Sequence, residues 1–296
     1  NDSSNLIQTG SESIIVEADE YDRSFLHLNP TIACITSVEA DHLDIYESED
    51  IFLEAFVQFS KKVSNELIVA YGLPISGLTY GIEVAADYKA FNLKITEKGY
   101  RFDLTTPNRE FKDIFFNQMG IHNVSNALGA LAMADQAGID INKSLLALES
   151  FPGVYRRMNL YRWRDIVIID DYAHHPSEID SVFKTIKTFY PKQKNCVVFQ
   201  PHLFSRTRDF MNDFKTTLSK FDEVILMDIY PAREEPIKGV NAKILFDGIS
   251  HTKKGYIEKN QIKKILKSSN ADVFALLGAG DIGEEVKKLK LEFISL

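Results

Sequence analysis

The residues best able to do chemistry lie at 170–176, where Asp170, Asp171, Tyr172, Ala173, His174, His175 and Pro176 follow an aliphatic run. Either imidazole can bind a carboxylate or move a proton near neutral pH, and Asp171 can accept from a ribose hydroxyl. Pro176 and Ser177 suit the start of a helix, so a surface loop with a proline helix start is the plain alternative. Two acidic stretches repeat one design: EADEYD (17–22), headed by Glu17, and EADHLD (39–44), with His42 inside it. Clustered hard oxygens suit Mg2+, although a solvated acidic turn and a capping histidine explain each stretch equally well. HNVSNA (122–127) sets Asn123 and Asn126 one helical turn apart, where their amide edges can face a purine or cap free backbone N–H groups. Arg156 with Arg157, and Arg206 with Arg208, offer planar donors for phosphate or carboxylate; taken alone, each pair fits a solvated surface.

GAGDIG (278–283) matches the dinucleotide pattern G-x-G-x-x-G. The chain ends at Leu296, too soon after Gly283 for the second strand and ribose-binding acid of that motif, so the glycines read as a tight strand-to-helix turn. No phosphate loop of the form G-x-x-x-x-G-K-[ST] and no G-x-S-x-G nucleophile elbow occurs in the 296 residues.

The elements that must carry these residues follow from periodicity. SIIVEAD and TIACITSVEAD read as buried strands, 49–64 as an amphipathic helix, and ELIVAYG as a strand. From Leu78 to Phe116 the period becomes two, with turns at Lys98-Gly99 and Pro107-Asn108, and predicts antiparallel hairpins. An alanine-rich helix from HNVSNA stops at Gly138, a second covers KSLLALESF, and FPGVYRRMN reads as a linker. Beyond it strand and helix alternate: DIVIIDD, PSEIDSVFKTIKTFY, NCVVFQ, SRTRDFMNDFKTTLSKF, EVILMD, AKILFDGIS with NQIKKILKSS, VFALLG and IGEEVKKLK. That alternation predicts a parallel, doubly wound α/β domain whose ligands gather beyond the carboxyl ends of its strands. DDYAHHP, QPHLFSRTRD, IYPARE and GAGDIG all fall there, so a cleft between two domains is expected.

Composition narrows the partners. The chain has 45% hydrophobic and 26% charged residues, enough for two cores, and its net charge of -8 argues against a nucleic-acid surface. Cys34 and Cys196 sit apart in apolar runs and read as buried free thiols in a reducing cytoplasm. No apolar run approaches membrane-spanning length, and NDSSNLIQTG lacks the regions of a signal peptide.

In order along the chain, VEADEYDRSF, TSVEADHLDIY, HNVSNALGA, YRRM, DDYAHHPSEI, FQPHLFSRTRDF, DIYPAREEPI and LGAGDIG resemble the motifs of the Mur ligases, over nearly the whole chain. The resemblance is nearest to the L-alanine-adding member. It implies three domains in the family: one for a uridine nucleotide, a central ATPase domain of mixed sheet and helices, and a Rossmann-like C-terminal domain. Residues 1–155 would be the central domain without its start and phosphate loop, and 156–296 the doubly wound C-terminal domain; alone, these residues are expected not to turn over ATP. The implied activity is ATP-dependent amide formation that adds L-alanine to UDP-N-acetylmuramate through an acyl phosphate, in the cytoplasm, for peptidoglycan synthesis, with room for a homodimer. The implied cofactors are ATP and Mg2+. By the same resemblance Glu17 and His42 would each hold Mg2+, Asn123 and Asn126 would face adenine, Arg157 the phosphates and Asp171 the ribose. Tyr172, His174 and Arg206 would form the amino-acid pocket, with Arg206 pairing the alanine carboxylate.

Two departures from the family stand out. Many relatives carry arginine directly after the histidine of QPH, where this chain has Leu203, and the region of the carbamylated lysine of several sister ligases reads Phe56, Val57 and Gln58. A ligase attaching a recycled tripeptide to the same sugar nucleotide is the nearest alternative. From other classes, GAGDIG would suit a dinucleotide-binding oxidoreductase, and the chain alone would suit a binding module without turnover.

Overall fold

The computed structural model describes residues 13–38, 46, 48–250, 253–292 and 294–295, which build two sheets joined by an irregular segment. The first sheet runs in chain order: β1 (Ile32–Ile35), β2 (Glu66–Ala70), β3 (Leu78–Ile82), β4 (Tyr88–Ile95), β5 (Tyr100–Thr105) and β6 (Glu110–Phe116). Helix α1 (Glu49–Ser60), capped by the Ser48 hydroxyl, buries Phe52, Ala55 and Phe59 with Phe25 and Ile35 on one face. Helix α2 (Ile121–Gln136) covers the other face with Val124, Leu128 and Leu131. Gly129 lets it approach, since a Cβ there would lie 3.2 Å from Cys34 Sγ and 3.3 Å from the Tyr80 ring. Helix α3 (Ile141–Glu149) follows, capped by Asp140.

Two expectations change. Residues 13–20 carry no regular structure, and Ile14, Ile15 and Val16 of the expected first strand are exposed, because β1 pairs only with β2 among the described residues and offers them no ladder. The stretch from Leu78 is only partly antiparallel: β3 lies parallel to both β2 and β4, whereas β4, β5 and β6 form hairpins. The tight return from β3 to β4 needs Gly81, where a Cβ would meet Val84 Cγ2 at 2.4 Å. It is pinned by the Asp87 carboxylate, which accepts from Thr79 N at 2.7 Å and Thr79 Oγ1 at 2.6 Å. Alternating burial marks a half-buried strand but does not say which way its neighbour runs.

The second sheet comprises β7 (Asn159–Trp163), β8 (Ile166–Asp171), β9 (Asn195–Phe199), β10 (Glu223–Leu226), β11 (Lys254–Tyr256), β12 (Val273–Leu277) and β13 (Ile294–Ser295), in the order β11-β10-β9-β12-β8-β7-β13. Strands β8 to β12 are mutually parallel, with β7 and β13 antiparallel at one edge. Helices α4 (Pro176–Phe189), α5 (Phe204–Asp209), α6 (Met211–Leu218) and α7 (Ala242–Gly248) precede α8 (Ile262–Ser268) and α9 (Ile282–Leu289). Ile179, Ile186, Phe214 and Leu245 pack one face, and Ile262, Leu266, Ile282 and Val286 the other. The sheet is therefore doubly wound, with fully buried aliphatic strands. AKILFDGIS and NQIKKILKSS, together in a helix place of the alternation, contain the helices α7 and α8. Strand β12 lies between β8 and β9, bringing the loops after all three together. Among the described residues no helix is long and apolar enough to cross a membrane.

Candidate functional site

The segment after β8 is built from its carboxylates outward. Asp171 Oδ2 accepts from Met158 N at 2.7 Å and Oδ1 from Ala173 N at 2.7 Å, so both oxygens already fasten backbone. Burial raises its carboxyl to about 6, against the lowering effect of those two bonds and of Arg157. Tyr172 keeps 37% exposure, and its ring sits 5.6 Å from the guanidinium carbons of both Arg156 and Arg157.

The two histidines divide their duties. His175 caps α4 in a capping box with Glu178, and its ring packs edge-on to Phe210 at 4.5 Å. Its role is structural. His174 Nδ1 lies 3.0 Å from Tyr172 O and 3.4 Å from Glu178 Oε2, two acceptors that place a proton on Nδ1 and leave Nε2 as the basic atom. Glu178 is held below its usual range: burial opposes this, but His174, the N–H groups of His174 and His175, and Arg157 prevail.

After β9, Gln200, His202 and Arg206 complete the cluster. The His202 ring lies 5.7 Å from His174 and stacks on Tyr230 at 5.8 Å, while Arg206 Nη1 lies 3.4 Å from His202 Nδ1. Arg206 is 6% exposed, and Leu203 before it turns with φ 69, its side chain buried. Burial, then the charges of His174, Arg206 and Arg233, push the His202 imidazole down to about 4, with Glu234 opposing. The neutral form is thus favoured by folding, a contribution present above roughly pH 6.5 and lost as pH falls through about 4. The His202 ring resonances, followed by NMR, should titrate near 4, and Arg206→Gln should move that midpoint upward; a midpoint near 6.5 in the parent would refute this environment.

The glycines of GAGDIG serve neighbouring protein atoms. A Cβ at Gly280 would lie 2.5 Å from Gln200 Oε1, and one at Gly283 2.5 Å from Arg156 Nη1. Gln200 Oε1 accepts from Ile282 N at 2.9 Å, and Gln200 Nε2 donates to Asp281 at 2.6 Å. Close packing on Gln200 and Arg156 accounts for these glycines without a dinucleotide.

Across the cleft, α2 starts at Gly120 without a side-chain cap, so neither Asn123 nor Asn126 plays the capping part. Asn123 Nδ2 donates to Met119 O at 2.7 Å, and Asn126 is exposed one turn on. His122, beside them, is depressed by burial and by Arg157, whose Nη1 lies 3.8 Å from Glu178 Oε1. His122, next to Asn123 at the start of α2, therefore lies near Arg157 and Glu178 of the second domain. A separate opening of about 820 Å3, walled by Lys98, Gln118, Tyr155, Tyr161 and Tyr190, lies on the β7 side and contains none of the His174, His202 and Arg206 cluster.

Glu17 is exposed in the irregular 13–20 segment, and His42 lies outside the described residues. No group of three His, Cys, Asp or Glu residues is arranged to hold a metal among the described residues. Sequence reasoning left three contributors unassigned: His202, Gln200 and Arg233. QPH and PARE stand at strand ends, but residue type alone gives these three side chains no role.

Residues 2–134 match the Mur ligase middle domain and residues 156–281 the Mur ligase, glutamate ligase domain. The UDP-N-acetylmuramate–L-alanine ligase of Christiangramia forsetii is 49% identical over 290 residues, which are 97% of this chain and 64% of that protein. The corresponding ligase of Flavobacterium psychrophilum is 48% identical over 295 residues, 99% of this chain and 66% of that protein. The chain thus spans less than two thirds of the length of these relatives. The crystal structure of the UDP-N-acetylmuramate-alanine ligase from Thermotoga maritima superposes with a TM-score of 0.73 at 26% identity, covering 90% of this chain and 60% of that one.

Proposed function

This chain belongs to the Mur ligase family, and from that premise we propose that it carries part of an ATP-dependent ligase joining L-alanine to UDP-N-acetylmuramate in the cytoplasm. The observation that carries this reading is the cluster of His174, His202 and Arg206 beyond the ends of β8 and β9, with His122 of the first domain near Arg157 and Glu178 beside it.

The chemistry needs a carboxylate activated by ATP, an amine held against it and a base. The muramate carboxylate takes the terminal phosphoryl group of ATP; the alanine nitrogen then bonds to the acyl carbon as the C–O bond to phosphate breaks and phosphate leaves with the electron pair. Arg206 is suited to pairing the alanine carboxylate in a fork. His174 Nε2 can take the proton lost by the amine, because Nδ1 is committed to Tyr172 O and Glu178. On this reading Tyr172 would wall the amino-acid pocket, Arg157 would meet phosphate, and Asn123 and Asn126 would face adenine. With both oxygens of Asp171 already fastening backbone, a ribose hydroxyl would use a remaining lone pair.

Glu17 offers one exposed carboxylate of the hard-oxygen kind that Mg2+ takes, the rest of its shell commonly coming from water and phosphate. Glu17 would hold it, with His42 at a second ion, and the metal would supply neutralisation of phosphate charge.

The test is phosphate release from ATP by the chain joined to the N-terminal part that the resemblance implies. Release that requires both UDP-N-acetylmuramate and L-alanine is expected. Release with a tripeptide in place of L-alanine would move the activity to peptide recycling, and release with neither would end the ligase reading.

A further inference from the structure

One contact crosses between the domains beside the site and has no part in the chemistry above. The Arg233 guanidinium carbon lies 4.6 Å from the centre of the Tyr21 ring. Tyr21 belongs to the acidic loop of the first domain that contains Glu17; Arg233 lies in the loop after β10 of the second. Among the described residues Arg233 forms no ion pair, although Glu234 and Glu235 follow it. Glu234 is otherwise engaged, accepting from Ser205 N at 3.0 Å and from the Ser205 hydroxyl at the start of α5, the helix that bears Arg206.

Both ends of the contact are anchored. On one side Tyr230 N donates to Pro201 O at 2.8 Å, Leu203 N donates to Tyr230 O at 3.0 Å, and Ala232 turns with φ 50 to present Arg233 outward. On the other, Tyr21 N donates to Asp19 Oδ1 at 3.0 Å, and the chain turns through Asp22 (φ 52) and Arg23 (φ 57). The Arg23 guanidinium lies 5.2 Å from the ring of buried Tyr46, whose hydroxyl donates to Glu20 O. A cation on an anchored backbone therefore meets a ring on another anchored backbone across the two domains.

We propose that Arg233 is a positioning residue: with Tyr21 it forms a clasp that holds the acidic loop of the first domain against the loop after β10 of the second, beside the Arg206-bearing helix α5. The clasp ties closure of the domains to the one arrangement in which the Glu17 loop and the amino-acid pocket face each other. Its place in catalysis rests on the proposed ligase reading; its existence does not.

Two readouts separate these. Small-angle scattering from the 296-residue chain should show a broader distance distribution for Arg233→Ala and for Tyr21→Leu, no further change in the double variant, and none in Tyr21→Phe, which keeps the ring. In the longer protein, Arg233→Ala and Tyr21→Leu should each raise KM for Mg-ATP about three- to tenfold, the range of one partly exposed cation–π contact, while kcat at saturation changes less than about twofold. Arg233→Lys keeps the cation and should stay close to the parent, which guards against misfolding of the alanine variant. Parent-like scattering for both single variants, or effects that add in the double, would overturn the clasp. So would a rise in KM for L-alanine alone with Tyr21→Leu silent, which would make Arg233 a reader of the amino acid. Absence of ligase turnover would remove the kinetic arm and leave the scattering arm decisive.

Discussion

On the proposed ligase reading, replacing Arg206 by alanine in the longer protein is expected to cost roughly 30-fold to several thousand-fold in kcat/KM for L-alanine, the equivalent of the about 2–5 kcal/mol lost when one partner of a buried charge pair is truncated. The guanidinium is 6% exposed and lies 3.4 Å from His202, which burial and surrounding charge keep neutral. An incoming carboxylate would thus meet a largely dry cation with a neutral imidazole beside it, and Coulomb attraction there is far stronger than in water. Arg206→Lys should recover only part of the loss, because an ammonium cannot present two parallel donors to a carboxylate. KM for ATP should change little. Equal losses for ATP and L-alanine would mean that Arg206 supports the loop and does not read the amino acid.

The legibility of this site in the sequence follows from its construction. Residues at strand ends were visible because an aliphatic run that stops in DDYAHHP or FQPH has no packing reason to choose those types, and β8, β9 and β12 place them together. The division between His174 and His175 was not visible, since it depends on which ring reaches Ser177 and which reaches Glu178, a matter of side-chain direction at the start of α4. Asp171 is a similar case. Its residue type allowed a ribose contact, but the local path of Met158 and Ala173 gives it a structural task that no spacing rule reveals. The glycines of GAGDIG were read as a tight turn, and the packing of Gln200 and Arg156 against them supplies the reason. The parallel step from β3 to β4 was missed because two half-buried strands joined by five residues look like a hairpin unless the Asp87 staple and the space at Gly81 are known.

Asp170 should prove the costliest polar residue of the second domain to remove. It is 0% exposed, with Oδ1 2.9 Å from Arg156 Nε and Oδ2 3.2 Å from Lys290 Nζ. Arg156 also donates from Nη2 to Asp171 O at 3.2 Å, and the Lys290 ammonium lies 4.4 Å from the Tyr155 ring and 4.7 Å from the Tyr161 ring. One carboxylate thus ties the linker, β7, β8 and the end of α9 together. Asp170→Ala leaves a buried guanidinium without its counter-charge, and a loss of about 3–5 kcal/mol is expected in urea unfolding monitored by circular dichroism. Lys290→Ala should cost less, since the Arg156 pair survives it and the ammonium sits nearer solvent. The informative variant replaces both charges, as in Arg156→Met with Asp170→Leu. If the network mainly repays its own desolvation, that pair should recover much of the loss of Asp170→Ala, because apolar groups of similar volume leave no buried guanidinium without its counter-charge, and Lys290 sits nearer solvent. If the double variant is instead as unstable as Asp170→Ala, the hydrogen bond to Asp171 O and the φ of 55 at Arg156 are what the arginine secures, and the network then fixes the backbone on which Tyr172 and His174 stand.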